Sequence, residues 1–326
     1  MSKPFRFGVQ AFKPESGTEW TETSRKAEDL GYSTLHVADH YFGPGAALTA
    51  ASHPIQTVAA IPAMAAAAAV TSTIKIGSRV MCCDYHQPMV LMKSLATIDL
   101  LSDGRLEAGF GAGWIHSEYD AMGIAWERAG KRIAKMTEYV EFARDFFAGG
   151  DLDYSGEYVN VTDTAATPVC PQEGGPKIMI GGGAPKVLGI AGRLADVVSI
   201  NFDNSAGKIG AKGIGSGTAE GTADKVQWVK DGAGDRFDDI EIEIAAYFTT
   251  VTANADQTEK TLGAMAGAFG MEPGMMAAHP HTLIGEVDQI VETLQERRDS
   301  YGISYVTVGD TVIDDFAPVV AALDGK

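Results

Sequence analysis

Seven histidines are present, and one of them follows an apolar run directly and sits beside an acid, in LHVADHYF at residues 35–42. Imidazole trades a proton near neutral pH, so His40 next to Asp39 at the end of a strand is a candidate acid or base. The same pair would also suit a metal site, or Asp39 could simply cap a turn. Metal coordination finds little support in the spacing. His36, His53, His86, His116, His279 and His281 form no HExxH or comparable pattern, and we expect no metal site.

Three further segments carry chemistry-bearing residues. IKIGSRVMCCDYHQP (74–88) interrupts a strand with Ser78-Arg79, a local conflict of the kind that marks functional or strained positions unless the arginine snorkels or pairs with an acid. LEAGFGAGWIHSEYDAMGI (106–124) follows a strand with Gly109, Gly111 and Gly113, which permit close approach of backbone to a flat or phosphorylated ligand. It lacks the context of a nicotinamide dinucleotide fingerprint. PKIMIGGGAPKVLGIAGRLAD (176–196) places Gly181, Gly182 and Gly183 before a helix opening at Ala184-Pro185, where free amides and Lys186 could cradle an anion.

These residues need elements that bring them together. Short β-branched runs at Phe5–Gln10, Thr34–Ala38, Ile74–Met81, Leu106–Phe110, Lys177–Ile180, Val197–Asn201, Ile242–Val251 and Tyr305–Val308 alternate with segments of helical period. Eight strands each followed by a helix predict an α/β fold of the (β/α)8 TIM-barrel class, with chemistry on the loops after the strands' C-terminal ends. We expect a single domain over 1–326 with two insertions: a small hairpin at 151–164, and a Gly-rich stretch at 204–221 that reads as a mobile lid or a poorly ordered loop. The Met-rich segment 270–285 reads as a packed connection with His279 and His281 on the surface, or as a pocket lining.

Composition narrows the partners. A formal charge of -17 repels polyanions, which argues against nucleic acid and against an anionic membrane surface. The longest apolar candidate, 61–70, is too short to cross a bilayer, and the N-terminus has no signal-peptide core, so we expect a cytoplasmic protein. Cys82, Cys83 and Cys170 have neither disulfide nor zinc spacing and read as reduced packing residues.

Taken together, VADHYF, IGSRV, the run from Gln87 to Ile124 and PKIMIGGGAPKVLGIAGRLADVVSIN resemble the bacterial luciferase-like superfamily, most closely its deazaflavin (coenzyme F420)-dependent oxidoreductases, from Phe5 to about Asn201. The resemblance implies a barrel binding F420, or alternatively FMN, at its C-terminal mouth, with a cis peptide between Arg79 and Val80 behind the ring. It implies that His40 is catalytic at the hydride-transfer centre. Asp39, Ser78, Arg79, Val80, Gly111, Ala112, Gly113 and Trp114 would border the cofactor, and Gly181, Gly182 and Gly183 would hold its phosphate. It further implies hydride transfer between the deazaflavin and an unidentified small organic substrate, and a homodimer. An FMN monooxygenase using reduced flavin and oxygen, and a non-catalytic flavin-binding protein, are the alternatives. Deazaflavin-dependent glucose-6-phosphate dehydrogenases carry an acid where this chain has Trp114, so the general-acid partner is expected to be missing and sugar-phosphate oxidation is doubtful.

Overall fold

The computed structural model describes residues 3–326. Eight parallel strands close into a barrel: β1 (Arg6–Ala11), β2 (Thr34–Val37), β3 (Lys75–Ser78, resuming at Met81–Cys82), β4 (Leu106–Gly111), β5 (Lys177–Gly182), β6 (Val197–Ile200), β7 (Glu241–Ala245) and β8 (Ile303–Gly309). β1 pairs with β8, Arg6 opposite Tyr305, and β3 with β4, Ile76 opposite Leu106, which leaves no free edge.

Alternation along β4 shows how the layers form. Leu106, Ala108 and Phe110 enter the core between barrel and helices. Glu107, Gly109 and Gly111 point into the lumen, where Gly109 and Gly111 abut Val80. The helices that cover the outside start where the sequence supplies caps: Ser16 accepts from Glu19 N ahead of Gly17–Asp29, Pro opens Pro88–Leu101, and Glu286 with Gln289 forms a capping box on Val287–Tyr301.

Polar groups occupy much of the lumen. His36 Nε2 meets Tyr305 Oη at 2.5 Å, Tyr305 Oη donates to Glu107 at 3.0 Å, and Arg6 pairs with Glu107 at 2.8 Å. Those residues lie on β2, β8, β4 and β1, and β2, β4 and β8 are not neighbours, so the contacts run through the barrel. Burial holds the His36 imidazole down to about 3, hence neutral.

Several sequence expectations are corrected. Ile242–Val251 is not one strand: β7 ends at Ala245, and Phe248–Val251 pairs outside the barrel with Thr282–Gly285, a strand the sequence pattern did not reveal. The 204–221 stretch is not a shapeless loop. It contains the helix Ala211–Gly215 and the start of Ala219–Ala233, and Lys225 Nζ donates to Asn201 O at 2.9 Å and Ser216 O at 2.8 Å. His279 and His281 are not on the surface but fully buried, bonded to Ile214 O at 3.0 Å and Ala245 O at 2.7 Å. The hairpin is present as Asp151–Ser155 against Asn160–Ala165. Among the described residues, no helix is long and apolar enough to cross a membrane.

Candidate active site

The main cleft opens at the C-terminal ends of the strands, and β2 and β3 build its first wall. β2 ends at Val37, and the chain then turns through Ala38, Asp39 and His40 into the cleft. Asp39 is buried. Its Oδ2 accepts from Cys82 N at 2.9 Å and contacts His86 Nε2 at 2.7 Å, while Oδ1 meets no donor. The acid therefore ties β2 to the resumed part of β3 rather than capping a helix.

His40 is held by a residue that sequence reasoning missed. Glu118, from the helix His116–Met122 after β4, has a fully buried side chain whose Oε2 lies 2.8 Å from His40 Nδ1. Tyr85 Oη donates to the same oxygen at 3.1 Å, and Tyr41 N donates to Oε1 at 2.6 Å. A carboxylate at Nδ1 fixes the proton on that nitrogen and leaves Nε2 to exchange one with a ligand. Glu118 lies four residues beyond Trp114 and holds His40 from behind; it does not line the cleft. The signal available was an acid just after the glycine turn of a barrel strand.

His53 was also overlooked. It lines the cleft with its ring centroid 4.3 Å from that of His40, and its Nδ1 donates to Pro54 O at 2.7 Å. Burial, reinforced by the neighbouring His40, pushes His53 down to about 3, so it stays neutral.

The Arg79-Val80 peptide is cis, as the resemblance implied. Arg79 lines the cleft, is buried, and is held internally at Nε, which bonds Glu243 at 3.0 Å, and at Nη1, which bonds Gln10 Oε1 at 3.0 Å and Tyr247 Oη at 3.3 Å, while Nη2 meets no acceptor. It pairs with an acid rather than snorkelling. Ser78 does not line the cleft. Its hydroxyl donates to Gly109 O and accepts from Gly109 N, at 3.0 and 2.9 Å, and is consumed as a strut between β3 and β4.

Gly111, Ala112, Gly113 and Trp114 border one side of the cleft, and Gly181, Gly182 and Gly183 another. Gly113 must be glycine: its φ is +72°, and a Cβ there would lie 1.9 Å from Tyr119 Oη. At Gly183 a Cβ would fall 2.0 Å from Phe202 O, so this turn is tight for packing reasons as well. Beyond it begins the helix Pro185–Leu194, with no side chain capping its first amides. Arg132, a further residue the sequence reading passed over, lines this end and stacks 3.6 Å from the Trp126 centroid. No residue of 270–285 lines the cleft.

The family model described as luciferase-like monooxygenase matches residues 2–304. An F420-dependent glucose-6-phosphate dehydrogenase of Nakamurella multipartita is 29% identical over 209 residues, 63% of this chain and 57% of that protein. The pyrimidine monooxygenase RutA of Enterobacter cloacae is 33% identical over 137 residues, 41% of this chain and 36% of its own length. Among solved structures, the coenzyme F420-dependent tetrahydromethanopterin reductase of Methanopyrus kandleri superposes with a TM-score of 0.74 at 19% identity, covering 98% of this chain and all of that one. At that identity the likeness shows the fold.

Proposed function

The chain belongs to the luciferase-like monooxygenase family, and from that premise we propose that it is an F420-dependent oxidoreductase acting on a small organic substrate. The observation that carries this reading is the His40–Glu118 pair, a proton carrier of fixed tautomer at the cleft. Dehydrogenation between an alcohol and a carbonyl moves one proton for each hydride, and such a residue handles that proton. A relative named for F420-dependent dehydrogenation supports the choice of cofactor.

The residues fit a flat redox ring. A planar ring needs a wall through which no side chain projects, and Gly111, Ala112, Gly181 and the Val80 isopropyl group supply one. Asp39 Oδ1, a buried acceptor without a donor, suits a ring N–H or ribityl hydroxyl. Arg132, Lys186 and the first amides of Pro185–Leu194 gather at the other end, where a Cβ on Gly130 would lie 3.9 Å from Lys186 Nζ. That end would take the cofactor's anionic tail. When bound, the deazaflavin supplies two-electron hydride chemistry. The chain's part is to orient the ring against Val80, hold the substrate at His40, and give or take the proton at His40 Nε2.

Titration of the purified protein with F420 and with FMN, read by fluorescence quenching, tests the proposal. F420 should bind, and His40→Ala should lower turnover about 100-fold or more while leaving the F420 Kd within a few-fold. Binding of FMN alone would overturn it in favour of the flavin monooxygenase reading.

A further inference from the structure

We propose that the His40 end of the cleft is an aromatic box built for an uncharged substrate, an alcohol or carbonyl compound on an alicyclic or aromatic body, and that it rejects phosphorylated and carboxylated molecules. The proposal deepens the redox reading of the cleft and rests on it.

The box is formed by Phe12, His53 and Trp114 around His40. Ring centroids are 6.3 Å apart for Phe12 and His53, 5.7 Å for His53 and Trp114, and 6.3 Å for His40 and Trp114. Phe42 backs His53 at 6.4 Å and is itself packed with Ala51 and Ile115, so the box has a rigid outer layer. Surfaces of this kind bury an apolar body and leave only the imidazole edges for hydrogen bonds. Because His53 Nδ1 is committed to Pro54 O, its Nε2 can only accept, which suits a hydroxyl or N–H on the substrate rather than a carboxylate.

Charge is distributed unevenly along the cleft. Arg79 is neutralised by Glu243. Arg132 is engaged with backbone and an aromatic face, donating to Ala112 O at 3.2 Å and to Glu127 O and stacking on Trp126. Around His40 no lysine lines the wall, the arginine of the cleft floor is charge-paired with Glu243 and keeps one unpartnered N–H group at Nη2, and the other nearby charges are the buried carboxylates Asp39 and Glu118. An anionic group would be desolvated there without a countercharge and against a chain of net charge -17. A neutral molecule meets neither cost.

Cyclohexanol, cyclohexanecarboxylate and cyclohexyl phosphate share one ring and differ in charge. Their Kd values should be measured by saturation-transfer NMR on protein loaded with F420 and, separately, with FMN. We expect cyclohexanol to bind at least roughly 10-fold tighter than either anion, from the unscreened charge penalty. Phe12→Ala and Trp114→Ala should each weaken it, whereas His53→Arg should narrow or reverse the preference. An anion that binds as well as cyclohexanol, or the failure of all three probes, overturns the proposal. A protein that takes only FMN yet keeps the preference sinks the cofactor reading and leaves this one standing.

Discussion

At the level of single residues, the candidate mechanism comes down to how one imidazole is held. Glu118 contributes geometry and charge together, because its two oxygens are shared among His40 Nδ1, Tyr85 Oη and Tyr41 N. Replacing it with glutamine keeps the shape but removes the charge that favours an imidazolium during proton transfer. Glu118→Gln should therefore lower kcat about 10- to 100-fold, leaving KM and F420 affinity within a few-fold. Steady-state kinetics with a parallel fluorescence titration would check this, and a change confined to KM would recast Glu118 as a binding residue. Asp39 and His40 were legible in the sequence because they follow an apolar strand directly. Glu118, His53 and Arg132 were harder to read: Glu118 showed only as an acid after a glycine turn, His53 as one polar residue in the long connection after β2, and Arg132 joins from a separate helix. Ser78 was misjudged for a related reason: a hydroxyl in a motif gives no sign that a neighbouring backbone has already claimed it.

Among the elements, the seam between β3 and β4 governs the shape of the cleft floor. A Cβ on Gly109 would lie 2.0 Å from Ser78 O and 2.9 Å from Val80 Cγ1. Neither partner has room, since Ser78 O is backbone and Val80 packs with Met179, Val197 and Tyr305 in the lumen. Gly109→Ala should cost about 2 kcal/mol or more of stability, from overpacking a closed interior. A thermal or urea melt would read it; a wild-type midpoint would mean that the seam yields where the packing says it cannot. The short apolar runs foretold the barrel because such strands are buried on both faces, as β2, β6 and β8 are. Ile242–Val251 misled because Ala246-Tyr247 breaks the ladder without a glycine or proline to announce it. His279 and His281 misled because histidine looks polar in sequence. Here a backbone carbonyl satisfies one nitrogen of each ring, His281 N donates to the other nitrogen of His279, and Phe202 lies against both rings.

For the molecule as a whole, these buried histidines set the pH response of stability. Burial holds His36 down to about 3 and His281 well below its ordinary value, and it lowers His279 as well. Each folded imidazole therefore binds a proton less readily than its unfolded counterpart, which titrates near 6.5. The sign follows: below about 6.5 the unfolded chain holds more protons than the folded one, so stability falls as pH drops and is flat above that value. One pH unit below 6.5, an imidazole held near 3 forfeits about 1.4 kcal/mol, which is the share of His36 at pH 5.5, and His281 adds to the loss in the same direction. Glu28 and Glu241 add a later loss. Burial pushes both up, but the amides of residues 72–74 on Glu28, and Arg6 with Lys177 on Glu241, outweigh it and bring each down to about 2, so their share disappears below about 4.5. Relief of self-repulsion as the net charge of -17 is titrated acts in the opposite sense, but mainly in that same carboxylate range. The interval from pH 7.5 to 5.5 thus isolates the histidines. Urea unfolding across it should show a midpoint that falls with an unchanged slope, and a midpoint that stays level or rises would mean that the lumen accommodates imidazolium after all.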